Sequence, residues 1–239
     1  MAYYSGFPEY VSVAKRKERA KKQIVKLRKQ NPDLAPIIIE GRSIATTWWG
    51  KAWNKNLESY ADYSNRLSRG RSYVRNGAVL DLKIQTGLVK GLVQGSESKP
   101  YQVEIGIKPI SPRKLQSILG VCNRKLDNLA ELVEGSFPKE LEDVFTLKGK
   151  GLFPTEKDIS FRCSCYDWAS MCKHVTAALY GVGARFDQDP MLFFTLRDID
   201  FGVLLKKTID QKMQSLLKNS NKKSTRVLDD QDISSLFGI

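Results

Sequence analysis

The sequence predicts an α+β protein: an antiparallel β-meander with helices, a helical linker region, a small Cys/His finger and a helical C-terminus. Three observations predict it. The apolar period changes from helical to alternating near Arg69 and returns to helical at Ser111. Between these points, runs such as Leu80, Leu82, Ile84 and Tyr101, Val103, Ile105, Ile107 alternate with polar residues. Finally, three of the four Cys and the single His fall between residues 163 and 174.

The elements follow in order. Val13 to Gln30 reads as a basic helix stopped by Asn31-Pro32, with a narrow stripe of Ala20, Ile24 and Leu27 that rests on something. A second helix runs from Trp48 to about Tyr63. Its Trp48, Trp49 and Trp53 suit either a core anchor or a base-stacking platform, and the large area a Trp buries favours the core. Arg71 to Arg75 reads as a short extended run, and Asn76-Gly77 as a hairpin turn. Strands follow at Leu80 to Ile84, Leu88 to Gln94 and Tyr101 to Ile107, which makes a meander of about four strands covered by the Trp-bearing helix. Ser111-Pro112 opens a helix whose stripe runs through Leu115, Ile118, Leu119, Cys122, Leu126, Leu129 and Val133. Cys122 on that stripe reads as a small buried hydrophobe. Pro138 to Leu147 is another short helix, and Gly149 to Pro154 a linker. Val175 to Tyr180 is helical, and the tail from Lys206 is polar and Lys-rich, with a last stretch ending in Asp229-Asp230-Gln231-Asp232 that has the composition of a disordered end. The expected organisation is a basic helical arm (1–36), an α/β-meander domain (37–110), a helical linker region (111–158), a finger (159–184) and a helical C-terminal region (185–239).

Charge narrows the partners. The 39 Lys and Arg exceed the 26 Asp and Glu, for a net +13 in 239 residues. Nine bases and three acids put +6 on residues 1–36, and eleven and six put +5 on residues 37–110. Residues 111–200 hold twelve and thirteen, so the surplus is concentrated rather than uniform. A polyanionic partner is expected. No apolar run approaches the roughly 18 residues of a membrane span; the longest, Val175 to Ala184, contains Thr176, Gly181 and Gly183. Tyr3-Tyr4-Ser5-Gly6-Phe7-Pro8 lacks the apolar core of a secretory signal, so a cytoplasmic, non-membrane protein is expected.

Residues 161–174 read Phe-Arg-Cys-Ser-Cys-Tyr-Asp-Trp-Ala-Ser-Met-Cys-Lys-His, with spacing C-x-C-x6-C-x-H. Three thiolates and an imidazole match the tetrahedral demand of one structural Zn2+ and select it over hard cations. Cys172 and His174 open the following helix, where the dipole favours thiolate. This pattern resembles the SWIM-type zinc finger over residues 159 to 180. The Thr47-Trp48-Trp49-Gly50 to Trp53 helix, Arg69-Gly70-Arg71-Ser72-Tyr73 and Val93-Gln94-Gly95-Ser96 before Pro100-Tyr101 are also similar to bacterial SWIM-domain proteins. The resemblance implies that Cys163, Cys165, Cys172 and His174 are the ligands and that the finger binds DNA or proteins. It also implies a possible partner among SNF2-type helicase-like ATPases.

An enzyme is not expected. Four protein ligands leave the metal no open position for water or substrate, and the only His is committed to it. No P-loop and no deaminase His-x-Glu occurs. Nucleic acid, DNA over RNA, is the expected partner, met by Arg66, Arg69, Arg71 and Arg75 interleaved with Tyr63 and Tyr73, and by Lys15, Arg16 and Lys22 of the arm. The rival is an adaptor whose finger docks a protein. Phe161, Tyr166 and Trp168 would then form its interface patch, or else the finger's own small core.

Overall fold

The computed structural model describes residues 12–125 and 138–220. Its centre is a four-stranded antiparallel sheet in the order β1 (Val79–Gln85), β2 (Leu88–Val93), β3 (Tyr101–Ile107), β4 (Ile159–Cys163). Alternation sorts the faces. Leu80, Leu82, Val89, Val93, Val103, Ile105 and Ile107 are buried, as period-2 patterning requires of a sheet covered on one side. The outer edge of β1 is covered by residues 34–37: Ile37 N donates to the Val79 carbonyl and Leu82 N to the Ala35 carbonyl. Covering an edge in this way removes a template for association.

Seven α-helices of the body lie among the described residues. They are α1 (Val13–Arg28), α2 (Trp48–Glu58), α3 (Ser64–Arg75), α4 (Pro112–Lys125), α5 (Glu142–Thr146), α6 (Lys173–Gln188) and the short α7 (Met191–Leu196). Helix α6 organises the rest. It touches all four strands, α2, α3 and α7, and twelve of its sixteen residues are buried, so it is apolar on every side as a core helix must be. Small residues let its neighbours come close. A Cβ on Gly70 of α3 would lie 2.6 Å from the Thr176 Cβ and 3.1 Å from the Ala177 nitrogen. Replacing glycine by alanine inside a helix ordinarily stabilises by up to about 1 kcal/mol. Here the overpacking reverses the sign: Gly70→Ala is expected to cost about 1–3 kcal/mol in denaturant unfolding. A stabilised variant would contradict this packing.

The aromatic expectation is borne out for Trp53, which has 0% exposure and meets Phe153 and Phe186 edge-on at 5.9 and 5.0 Å. Its indole N–H donates to the Leu179 carbonyl, and that of Trp49 to the Phe186 carbonyl. The α2 N-terminus is tied to the end of α6, because the Asp187 carboxylate accepts from the backbone and hydroxyls of Thr46 and Thr47.

Several sequence expectations are corrected. Arg71 to Arg75 is the end of α3 and not a strand, and Asn76-Gly77 closes that helix instead of turning a hairpin. Gly77 has φ +69, its N–H donates to the Val74 carbonyl, and Ala78 N donates to the Tyr73 carbonyl. That is the paired pattern of a Schellman cap, and the left-handed Gly77 after Asn76 serves it as well as Asn-Gly serves a hairpin. The fourth strand is instead β4, supplied by the segment expected to be a separate finger. Helix α2 stops at Glu58, short of Tyr63. Gly149 to Pro154 is no free linker, since Leu152 and Phe153 are buried and their N–H groups donate to the Val144 and Phe145 carbonyls.

Residues up to 201 form one compact unit, so the boundaries expected at 36, 110, 158 and 184 fall within it: β4 pairs with β3 and α6 underlies the whole sheet. The second unit, from Gly202, is described as the helix α8 (Phe201–Ser220). Leu126, Leu129, Val133, the Cys122 side chain and the chain beyond 220 lie outside the described residues. No helix among the described residues is long and apolar enough to cross a membrane.

Candidate metal centre

The four residues that could hold a metal come from two elements that meet because β4 pairs with β3. Cys163 ends β4 opposite Val103. The pairing continues one step through Ser164, whose N–H donates to the Gln102 carbonyl while its Oγ accepts from Gln102 N. The chain then leaves the sheet at Cys165, loops back, and enters α6 with Cys172 as N-cap and His174 in the first turn. Every ligand atom lies within 4.8 Å of the others. Cys165 and Cys172 Sγ are 3.6 Å apart, and His174 Nδ1 is 3.9 Å from Cys163 Sγ and 4.0 Å from Cys172 Sγ. A tetrahedron with Zn–S of about 2.3 Å and Zn–N of about 2.0 Å spaces its sulfurs by about 3.8 Å and S from N by about 3.6 Å. The quartet fits a single metal ion.

Its surroundings hold the imidazole. His174, at 1% exposure, stacks on Tyr101 at 4.2 Å and meets the edge of Tyr73 at 5.5 Å. Its Nδ1 faces the thiols. Nε2 is buried without a hydrogen-bond partner among the described residues, against Gly95, where a Cβ would lie 2.9 Å away. Only glycine leaves room there. Hydrogen bonding from the Cys163 thiol, joined by His174 and the Val175 N–H, brings the Cys172 thiol down to about 4. The Cys163 thiol is pushed up by the same pairing, and burial pushes Cys165 up. A thiol binds a metal ion only as its thiolate, so binding at this quartet would release protons.

The loop between the ligands is moored twice to α3 and the turn before it. Arg66 spans Asp167 with Nε–Oδ2 and Nη2–Oδ1 both at 3.1 Å, and Asp62 accepts from Ser170 N and Oγ at 2.9 and 3.1 Å. Tyr166 (99% exposed) and Trp168 (79%) stand outward from it, so they are not a finger core. Trp168 meets the edge of Tyr63 at 5.2 Å.

The basic residues expected to touch nucleic acid divide. Arg66 is spent on Asp167. Arg71 is spent on Glu58 at 2.6 Å, over the Tyr180 ring, and Tyr180 donates to the same carboxylate. Both ion pairs join elements of the fold. Lys22 pairs with Glu18 at 2.7 Å on the surface of α1. Lys15, Arg69 and Arg75 are exposed, and Arg16 lies over the Tyr73 ring, 5.8 Å from its centre. Arg16 and Arg69 come together in a groove of about 340 Å³ with Ser68, Ser72, Tyr73 and Lys173. No carboxylate lines it. Lys173 was missed by sequence reasoning because it sits between two ligands, and only the α3–α6 packing brings it opposite Arg69.

No family model and no solved structure matches the chain. The chain is similar to an uncharacterized protein of Mycobacterium tuberculosis, 39% identical over 156 residues, which is 65% of this chain and 56% of that protein's length. It thus spans little more than half of that relative.

Proposed function

We propose that the protein is a zinc-stabilised, nucleic-acid-binding module with no catalytic role of its own, acting as an accessory factor of a larger machine. The observation that carries this reading is the groove beside the metal centre. Three cations from three separate elements, Arg16 of α1, Arg69 of α3 and Lys173 of α6, converge there with the hydroxyl-bearing Ser68, Ser72 and Tyr73 and no acid. A polyanion would offset the mutual repulsion of cations gathered in this way, and guanidinium groups match phosphate oxygens in pairs. Zinc is the metal that a closed set of three thiolates and one imidazole suits best. The ion then fixes the start of α6, and with it Lys173, against Arg69. The SWIM-like spacing supports DNA over RNA and leaves an adaptor for a helicase-like ATPase as the rival.

The test is salt dependence. Each duplex phosphate neutralised contributes about 0.9 to the slope of log affinity against log salt. Replacing Arg69 and Lys173 together by Ala is expected to flatten the slope by about two units, with metal content unchanged. Arg71→Ala, which breaks an internal ion pair, is expected to leave the slope alone. An unchanged slope in the double variant would remove the groove from the binding surface and favour the adaptor.

A further inference from the structure

Two aromatic side chains beside the groove are exposed where burial would be cheaper. Tyr166 and Trp168 flank Asp167 at 99% and 79% exposure, and a Trp ring left in water forfeits the burial that stabilises most of its kind. The loop gives them no means of folding inward. Asp167 between them is held by two nitrogens of the Arg66 guanidinium, Nε and Nη2, Ser170 is held by Asp62, and Tyr63 packs T-shaped against the Trp168 ring.

Their position relative to the cations is set by α3. Arg66, Arg69 and Tyr73 follow at i, i+3 and i+7 along one border of its buried stripe. Arg66 holds the aromatic loop at one end of that border. Arg69 meets Lys173 in its middle, and Tyr73 meets Arg16 at the other end. Three residues of helix span about 4.5 Å, so Arg66, which holds the aromatic loop, stands about one turn of α3 from Arg69 of the cationic groove. The nearby carboxylates are already engaged, Asp167 by Arg66 and Asp62 by Ser170.

Resting on the nucleic-acid reading above, we propose that the preferred ligand is a single strand, with bases stacked on Trp168 and Tyr166 and the adjoining phosphates held by Arg69, Lys173 and Arg16. In a duplex the base faces are already stacked on one another and cannot receive a protruding ring, whereas an unpaired strand offers them. Rings give affinity without reading sequence, because every base has a π-face. The 2′-hydroxyl is not addressed by these two rings and three cations, so DNA and RNA strands share this chemistry.

The experiment uses the zinc-loaded full chain with oligothymidylate, oligouridylate and a duplex of equal length at one salt concentration. Single strands are expected to bind more tightly than the duplex. Trp168→Ala is expected to weaken strand binding roughly tenfold to a hundredfold, the range of one lost base stack, while duplex affinity and zinc content stay at parent values. Trp168→Phe keeps a ring and is expected to retain most of the affinity but to lose the quenching of indole fluorescence on strand binding. Comparable affinities for the two oligonucleotides support the shared chemistry, and a preference for one assigns the strand type. Parent-like strand binding by Trp168→Ala overturns the stacking proposal while leaving the groove reading intact, and so does a duplex that binds as tightly as the strands. Absence of binding to every probe overturns both.

Discussion

Stripping the metal with a strong chelator, or replacing Cys172 by Ser, is expected to destabilise the whole body rather than melt a detached finger. The ligands sit where the sheet hands the chain to its central helix. Cys163 is the last residue of β4, Cys172 caps α6, and His174 occupies the first turn. Without the ion, three thiols and an imidazole remain packed together, with Cys172 and His174 each 1% exposed. A buried polar group deprived of its partner costs about 1–3 kcal/mol, and a structural zinc ion contributes on the order of 10 kcal/mol to small domains. The net stability of a protein this size is itself about 5–15 kcal/mol. Because α6 touches every strand, loss of its first turn loosens β3 and β4 together.

Cys172→Ser is therefore expected to lose most of its metal and to melt at least about 10 °C below the parent, since roughly 1 kcal/mol moves the midpoint of a chain this long by 2–4 °C. Hydrogen exchange should rise along residues 159–184 first. Acidification acts in the same direction: each ligand must shed its proton to bind the ion, so metal affinity falls as pH falls. Elemental analysis should give one zinc per chain and full occupancy in Cys122→Ser. Metal loss in Cys122→Ser, or an unshifted midpoint in Cys172→Ser, would overturn the ligand assignment.

The ligand quartet was legible in the sequence because all four residues lie within a dozen positions, and local spacing carries the whole signal. The strands from Val79 to Ile107 were legible for a similar reason, since period-2 burial is written residue by residue. What failed was whatever depends on packing between distant segments. Asn76-Gly77 announces a left-handed backbone but does not say whether a strand or a helix precedes it. That is decided by Gly70, Tyr73 and Val74 packing against α6 a hundred residues later. Arg66 and Arg71 looked free because their partners, Asp167 and Glu58, are brought to them only by the fold. Lys173 looked like a spacer between ligands. Phe153 sits in a Gly-rich segment whose composition says linker, yet it fills the space beside Trp53.

Trp53→Ala is expected to be the most damaging single change outside the metal centre, at about 3–5 kcal/mol for an emptied aromatic site. The ring has 0% exposure and stands between Phe153 and Phe186, so α2, α6 and the 149–154 segment all lose a common surface. Its N–H to the Leu179 carbonyl goes as well. The cavity cannot close easily, because Phe145, Phe153, Phe186 and Phe193 are braced against one another at 5.1 to 5.8 Å. A thermal midpoint about 6–20 °C below the parent follows from the size scaling. Trp53→Phe retains most of the volume and is expected to recover more than half of the loss. The same pair of variants separates the two uses a tryptophan cluster could have. As a core anchor, Trp53 governs stability, and below the midpoint Trp53→Ala should bind one zinc and bind oligonucleotides as the parent does. As a stacking platform it would do the opposite, weakening strand binding with little change in midpoint. Trp168, at 79% exposure, is expected to behave in that second way, so measuring melting and strand affinity for Trp53→Ala and Trp168→Ala side by side should give crossed results. If Trp53→Ala melts within about 2 °C of the parent, a shift of less than about 1 kcal/mol, the aromatic core described here does not hold the body together.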